Sequence, residues 1–279
     1  MIDLAPLMPL RRATQRVLRR LSERIDRRTM RPAELESVFA TLGIRVGATV
    51  FIHSSMDALH RRVPELSPIA LIGMLQRLLT PAGTLLMPTF PFKGKQADYV
   101  ARTQRFDVRR TQSQVGLLTE VFRRMPGVER SLHPTHPVAA WGQHASVLLE
   151  AHHRGTAFGT NSPICRLREF DGLVIGLGTG LVDSFTIMHV VEEIHPKAYD
   201  RFFSPIPHFM TIVNDGVELP YELRVLRPDV RRRYRRVART LFRERIVRRM
   251  RRRGLRCEVT DAGRFIDRCL RLVDADRYL

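Results

Sequence analysis

The residues best placed to do chemistry are Thr186, His189, Glu192 and Glu193, in the stretch Thr186-Ile-Met-His-Val-Val-Glu-Glu193. On a helix turning about 100° per residue they share one arc, while Ile187, Met188, Val190, Val191 and Ile194 share the opposite one. A carboxylate one turn from an imidazole fixes the orientation of the ring and raises its basicity, which suits a general base working near neutral pH. The same spacing also describes an exposed ion pair on a surface helix. Context favours the chemistry. The helix follows Gly172-Leu-Val-Ile-Gly-Leu-Gly-Thr179, an apolar strand with a glycine-rich turn, and such strand-to-helix turns open ligand crevices in α/β sheets.

The elements that must position these side chains follow from the rest of the chain. Periodicity predicts an arginine-rich amphipathic helix over 10–28 and a short helix over 33–42 stopped by Gly43. A strand over 48–53 then runs into Ser54 and Ser55, a helix spans 68–79, and a second strand covers 84–87. Strand, helix and strand at this spacing form a βαβ unit with parallel pairing. Residues 91–115 read as a long polar loop, 116–125 and 145–153 as helices, and 138–141 as a strand. Residues 209–226, with the turn Asn214-Asp-Gly216, read as a hairpin; 229–252 as a second basic helix; 255–279 as a closing strand and helix. The expected architecture is a single α/β domain over 31–279. Its mixed, mostly parallel sheet is flanked by helices, with basic helical additions at 1–30 and within 224–256.

The net charge of +19 would by itself suggest a nucleic-acid binder, but it is localised. Residues 11–31 carry +7 and residues 224–256 carry +14, leaving the body near neutral. The competing class is therefore a polyanion or anionic-membrane binder acting through two basic segments. Against nucleic acid, the second segment has only Tyr234 and Phe242 as aromatic residues for stacking on bases. No apolar run is long enough to cross a bilayer, and the first ten residues lack the pattern of a secretory signal, so the expected location is cytoplasmic. Cys165, Cys257 and Cys269 lack metal-ligand spacing and read as reduced, buried thiols. A metal on His189, Glu192 and His195 would need the helix to continue through Pro196, so no metal is expected.

Six motifs in order resemble the aminoglycoside 3-N-acetyltransferase family. They are His53-Ser-Ser55; Gly83-Thr-Leu-Leu-Met-Pro-Thr-Phe90; Gly116-Leu-Leu-Thr-Glu120 with Phe122-Arg123; Arg130-Ser-Leu-His-Pro134 with Ala139-Ala-Trp-Gly142; Gly159-Thr-Asn-Ser-Pro163; and Thr186-Ile-Met-His189 with Glu192. The resemblance implies an α/β fold distinct from the GNAT acetyltransferases, acetyl-CoA as donor, an amine on a sugar-like acceptor, and His189 as base beside Glu192. Residues 1–30 and 224–256 depart from the pattern.

The residue types suit that chemistry. A protonated amine cannot attack a thioester, so a base must take its proton. His189 is suited to this, with Thr186 one turn earlier as a donor or a support. Coenzyme A carries a diphosphate and a 3′-phosphate, which hydroxyls and backbone amides at strand-to-helix turns would meet. His53, Ser54, Ser55, Thr89, Arg130, Ser131 and His133 are the candidates for that contact, whereas His136 reads as scaffolding. A polycationic acceptor would call for concentrated carboxylates, yet the 91–115 stretch holds six Lys or Arg against Asp98 and Asp107. The expected acceptor therefore bears one amine on a neutral or anionic carrier.

Overall fold

A computed structural model describes residues 29–227, 229–230, 232 and 234–278; the helix expected over 10–28 lies outside them. Three nearly continuous apolar runs become the central strands: β1 (Thr49–Ser54), β2 (Thr84–Pro88) and β6 (Leu173–Leu177). Strands covered on both faces carry such runs, and β1 pairs in parallel with both β2 and β6. Antiparallel strands extend the sheet on both sides, β5 (Val138–Gly142) and β4 (Glu129–Arg130) beyond β2, and β10 (Leu255–Asp261) and β9 (Val247–Arg252) beyond β6. The strand order is β4-β5-β2-β1-β6-β10-β9, a mixed sheet with a parallel centre.

Because side chains alternate across a strand, the sheet feeds two cores. Val50, Ile52, Leu85, Met87 and Ile175 pack against α1 (Pro32–Leu42), α3 (Pro68–Leu79) and α5 (Leu117–Phe122) on one face. Phe51, Leu86, Val138 and Val174 pack on the other against the helix Ile187–Ile194, here α8, and the last helix Ala262–Asp274, here α11. Helix ends follow local chemistry. The Ser67 hydroxyl accepts Ala70 N–H at 3.1 Å to start α3, and Gly43 (φ 96°) stops α1 in the left-handed conformation that glycine adopts without strain.

Two expectations fail. Residues 229–252 are not one helix: the helix is Tyr234–Arg243 (α10), and Val247–Arg252 is β9, paired antiparallel to β10. Arginines dominate β9 and hide the alternation of a strand, while their charge protects the open edge of the sheet from pairing with another chain. The 91–115 stretch is not an unstructured loop either. It holds a helix, Gln96–Arg102 (α4), and a short strand, Arg105–Asp107 (β3), which pairs in parallel with β7 (Phe203–Asn214). With β8 (Val217–Leu226), these form a second sheet over its own small core of Phe106, Met210, Ile212 and Tyr221, and the expected hairpin is its β7–β8 half. Among the described residues, no helix is long and apolar enough to cross a membrane, and no cluster of His, Cys, Asp or Glu is arranged to hold a metal.

Candidate active site

The glycine-rich turn after β6 delivers the chain into α8 at the C-terminal ends of the parallel strands. Gly178 (φ 72°) makes the turn in a conformation that β-carbons disfavour, and it leaves room for the Ala58 methyl at the start of the short helix Met56–His60. Thr186 stands at the N-cap of α8, with His189 one turn on.

The polar arc of α8 is not a solvent-facing surface. Glu192 is 0% exposed, and its Oε2 lies 2.7 Å from His189 Nδ1. An ionised carboxylate only accepts, so Nδ1 carries a proton, and in the neutral form of the ring Nε2 holds the lone pair. That nitrogen has no protein partner among the described residues, and the side chain is 21% exposed. Tyr234 of α10 donates to Glu192 Oε1 at 2.7 Å, and Arg232 Nε lies 3.4 Å from Oε2. Burial alone would push the Glu192 carboxyl up; the charge and hydrogen bond of His189, with Arg232 and Tyr234, outweigh it and hold it below the usual carboxylate range. Burial, then the Glu192 charge, pushes the Tyr234 phenol up, so it stays a donor.

Glu193 is not part of this pair. Its carboxylate accepts hydrogen bonds from Phe158 N–H, Gly159 N–H and Thr156, closing the turn at 156–159, and burial pushes it up to about 7. The turn seats the Phe158 ring 5.0 Å from His189 and 4.7 Å from His136. The row of rings continues from His136 to Phe90 at 4.7 Å and Phe92 at 5.5 Å. Those two phenylalanines, with Lys93, Gly94, Gln114, Val115 and Gly116, line a cavity of about 460 Å³ that contains no Asp or Glu.

The remaining candidates fall into two groups. His53, Ser54 and Ser55 close β1 beside α8. His53 stacks on Phe185 at 5.5 Å, its Nε2 lies 3.5 Å from Thr186 Oγ, and burial pushes it down to about 3, so it is neutral. Ser55 caps the helix that follows, accepting Ala58 N–H at 3.3 Å. The second group ties the end of β2 to its neighbours. Arg130 donates Nε to Thr89 Oγ (3.0 Å), Nη2 to Thr89 O (2.6 Å), and Nη1 to the carbonyls of Val108 (2.9 Å) and Thr111 (2.6 Å). Every nitrogen of that guanidinium is thus engaged with a protein oxygen. Burial, with Arg123 nearby, pushes Arg130 down to about 9. Ser131 Oγ accepts Val138 N–H at 2.9 Å and meets His152 Nδ1 at 2.8 Å, and His133 stacks on His152 at 4.6 Å. Arg130 and Ser131 also border a cleft of about 670 Å³ that includes Arg109, Arg123 and Arg124 but not His189. All three cysteines are free and buried, and burial pushes Cys165 up to about 11, which disfavours its thiolate.

The C-terminal ends of the parallel strands, where ligands of α/β folds bind, thus carry an imidazole anchored by a buried carboxylate with its Nε2 open. The family model described as aminoglycoside 3-N-acetyltransferase matches residues 51–274. Aminoglycoside N(3)-acetyltransferase IV of Salmonella sp. is 31% identical over 186 residues, covering 67% of this chain and 66% of its own; the type III enzyme of Pseudomonas aeruginosa is 31% identical over 189 residues, covering 62% and 69%. The aligned stretch thus spans about two thirds of these relatives. In structure, the aminoglycoside acetyltransferase AAC(3)-Xa superposes with a TM-score of 0.74 at 23% identity over 93% of this chain and 98% of that one. A binary complex of AAC-IIIb with CoASH gives 0.73 at 18% identity over 90% and 98%. The chain belongs to the aminoglycoside 3-N-acetyltransferase family.

Sequence reasoning missed Tyr234 and Arg232, which reach Glu192 from forty residues away. In sequence Tyr234 stood out only as one of two aromatic residues in the basic segment; nothing local marked its hydroxyl as a partner of Glu192.

Proposed function

We propose that the chain moves an acetyl group from acetyl-CoA to a primary amine by direct attack, with His189 as general base. The observation that carries this reading is the His189–Glu192 contact of 2.7 Å, with Nε2 free at a partly open surface. In the reaction, Nε2 takes the proton of the attacking amine, a C–N bond forms at the thioester carbonyl, and the C–S bond of the tetrahedral intermediate breaks. The proton held on Nε2 then goes to the departing thiolate, which restores the neutral imidazole. Glu192 keeps Nδ1 protonated throughout and stabilises the transient imidazolium. Thr186 supports the same end of the helix. For the donor, Ser54, Ser55 and Thr89 at the strand ends, with Ser131, are proposed to border acetyl-CoA, while His133, with both ring nitrogens engaged inside the protein, supports that wall as scaffold. His53, which is neutral, contributes an aromatic and hydrogen-bonding surface, and Arg130 acts by tying the loop at Thr89 to residues 108–111. AAC-IIIb, which shares this fold, binds CoASH, and that supports the assignment of donor.

The acceptor is proposed to carry its amine on a neutral, anionic or aromatic body, as in an amino sugar or a secondary-metabolite amine. Support comes from the cavity beside the ring row, where Lys93 and the faces of Phe90 and Phe92 stand where a polycation would need carboxylates. The relatives are named for aminoglycosides, and structures of AAC(3)-IVa are known with a gentamicin and with apramycin, so antibiotic amines are the alternative. Thiol release from acetyl-CoA across a panel of amines decides between them. Faster turnover of mono-amino sugars than of gentamicin or kanamycin is expected; the reverse order refutes the acceptor reading, and thiol release with no amine refutes transfer itself.

A second reading, docking on polyanions from the cytoplasmic side, is supported by exposed Arg235, Arg236, Arg239 and Arg243 on α10 beside Arg248 and Arg252 on β9. Retention on heparin that falls steeply between about 50 and 200 mM salt is its test.

A further inference from the structure

Glu192 presents a physical problem that the catalytic pair alone does not solve. A fully buried carboxylate with only an imidazole for company favours the protonated ring, because proton uptake turns a buried charge of −1 into a neutral pair. A base that must be proton-free at neutral pH needs the opposite balance.

Two residues from one short stretch supply it. Arg232 sets its guanidinium 5.0 Å over the Phe202 ring and brings Nε within 3.4 Å of Glu192 Oε2. Tyr234, two residues on, donates to Oε1 at 2.7 Å and places its hydroxyl 3.3 Å from His189 Nδ1. With Arg232 present, the cluster is neutral when His189 is neutral and carries +1 when it is protonated. The arginine therefore makes the proton-free base the state of least buried charge. Tyr234 takes the carboxylate oxygen that His189 does not, and so fixes the plane of Glu192.

We infer that Arg232 and Tyr234 are positioning residues for the acetyl-transfer reaction, holding Glu192 against His189 and setting the pH range in which the base is free. The inference rests on the reading of His189 as base. The other titratable groups around the pair act alike in parent and variant. His136 and, beyond Thr186, His53 are buried and held neutral; Tyr278 donates to Met188 O at 2.8 Å and stays protonated; Glu193 titrates near 7 from its own turn.

The experiment compares rate–pH profiles and His189 imidazole titration by NMR in the parent, Arg232→Met, Arg232→Lys and Tyr234→Phe. Removing the cation should move the acidic limb of kcat, and the imidazole midpoint, upward by roughly one to two pH units, while Arg232→Lys restores most of the shift. Tyr234→Phe should lower kcat roughly 3- to 30-fold with KM for acetyl-CoA within about twofold, and should move the limb the same way by less. A fall in rate that is equal at every pH, with the limb and midpoint unmoved, gives both residues a merely structural role and overturns the inference. If His189→Ala retains activity, the base assignment fails and this inference with it; if His189→Ala is inactive while Arg232→Met keeps the parent profile, only the inference fails.

Discussion

His189 and the cluster of His133, His136 and His152 are all packed among aromatic rings at one corner of the molecule, yet their nitrogens are wired differently. In the cluster the hydrogen bonds run to neutral groups. His133 Nδ1 accepts from the backbone of Thr135 (3.3 Å) and His136 (3.0 Å), so its proton lies on Nε2 and is donated to the Tyr221 hydroxyl at 2.9 Å. His152 takes the Ser131 hydroxyl proton at Nδ1 and gives its own to Ala157 O at 3.0 Å. Gln96 donates to Thr135 Oγ, which leaves the hydroxyl proton for His136 Nδ1 at 2.9 Å. Burial first, then the neighbouring imidazoles, pushes His133 and His136 well down, so they stay neutral. His189 instead has one nitrogen committed to a carboxylate and one left open. Burial does not set His189 apart from the others here; the charge of its partner does, a buried carboxylate in place of hydroxyls, amides and carbonyls.

The sharpest test of that contrast is His189→Ala. Removing a general base costs on the order of 100- to 10,000-fold in kcat; because the variant also leaves the buried Glu192 carboxylate without its Nδ1–H partner, the rate is compared per folded molecule, with urea unfolding read alongside. A variant within a few-fold of the parent in thiol release would remove His189 from the reaction.

The cluster should respond the opposite way. His133→Ala leaves the amides of Thr135 and His136 without their acceptor inside the protein and opens a cavity, which together cost roughly 2–5 kcal/mol. Its activity per folded molecule should remain near that of the parent at low temperature. A stable but inactive His133→Ala would show that the cluster takes part in chemistry and would dissolve the comparison.

How far each region could be read from sequence follows the same division. The helix that bears His189, the glycine turn before it and the parallel strands were legible because helical and strand periodicities are local, and the helices at 32–42 and 68–79 carry their own proline starts and stop signals. The surroundings of the helix were not. Periodicity left its polar arc readable as an exposed ion pair or as a site, because only the tertiary arrangement brings α10 over Glu192, and the β9 strand was concealed by arginines at most of its positions. The three-residue strand Arg105–Asp107 owes its existence to a partner more than a hundred residues on, at Thr211–Val213. Glu193 resembled a second partner for His189 by spacing; which carboxylate turned inward to the imidazole and which turned to the 156–159 amides depended on the loop that meets them.

That last distinction gives the mildest prediction, a pH effect on stability rather than on rate. The Glu193 carboxyl is pushed up to about 7 in the folded chain by burial, against its ordinary value of 4.5. Between those values the unfolded chain has lost this proton while the folded chain keeps it, so the folded state binds more protons and stability falls as pH rises through the window. One such group contributes a slope of at most about 1.4 kcal/mol per pH unit, nearly absent below the unfolded value and levelling off above the folded one. Glu193→Gln removes this term while keeping a similar shape against Phe158 and Gly159. Unfolding free energies of the parent and Glu193→Gln, measured in urea from pH 4.5 to 8, should therefore diverge in one direction only, with the parent losing ground to the variant as pH rises. Parallel curves would mean that the three hydrogen bonds at the turn hold Glu193 ionised in the folded chain, as Glu192 is held by His189, Arg232 and Tyr234, and the two carboxylates would then differ in their partners but not in their charge.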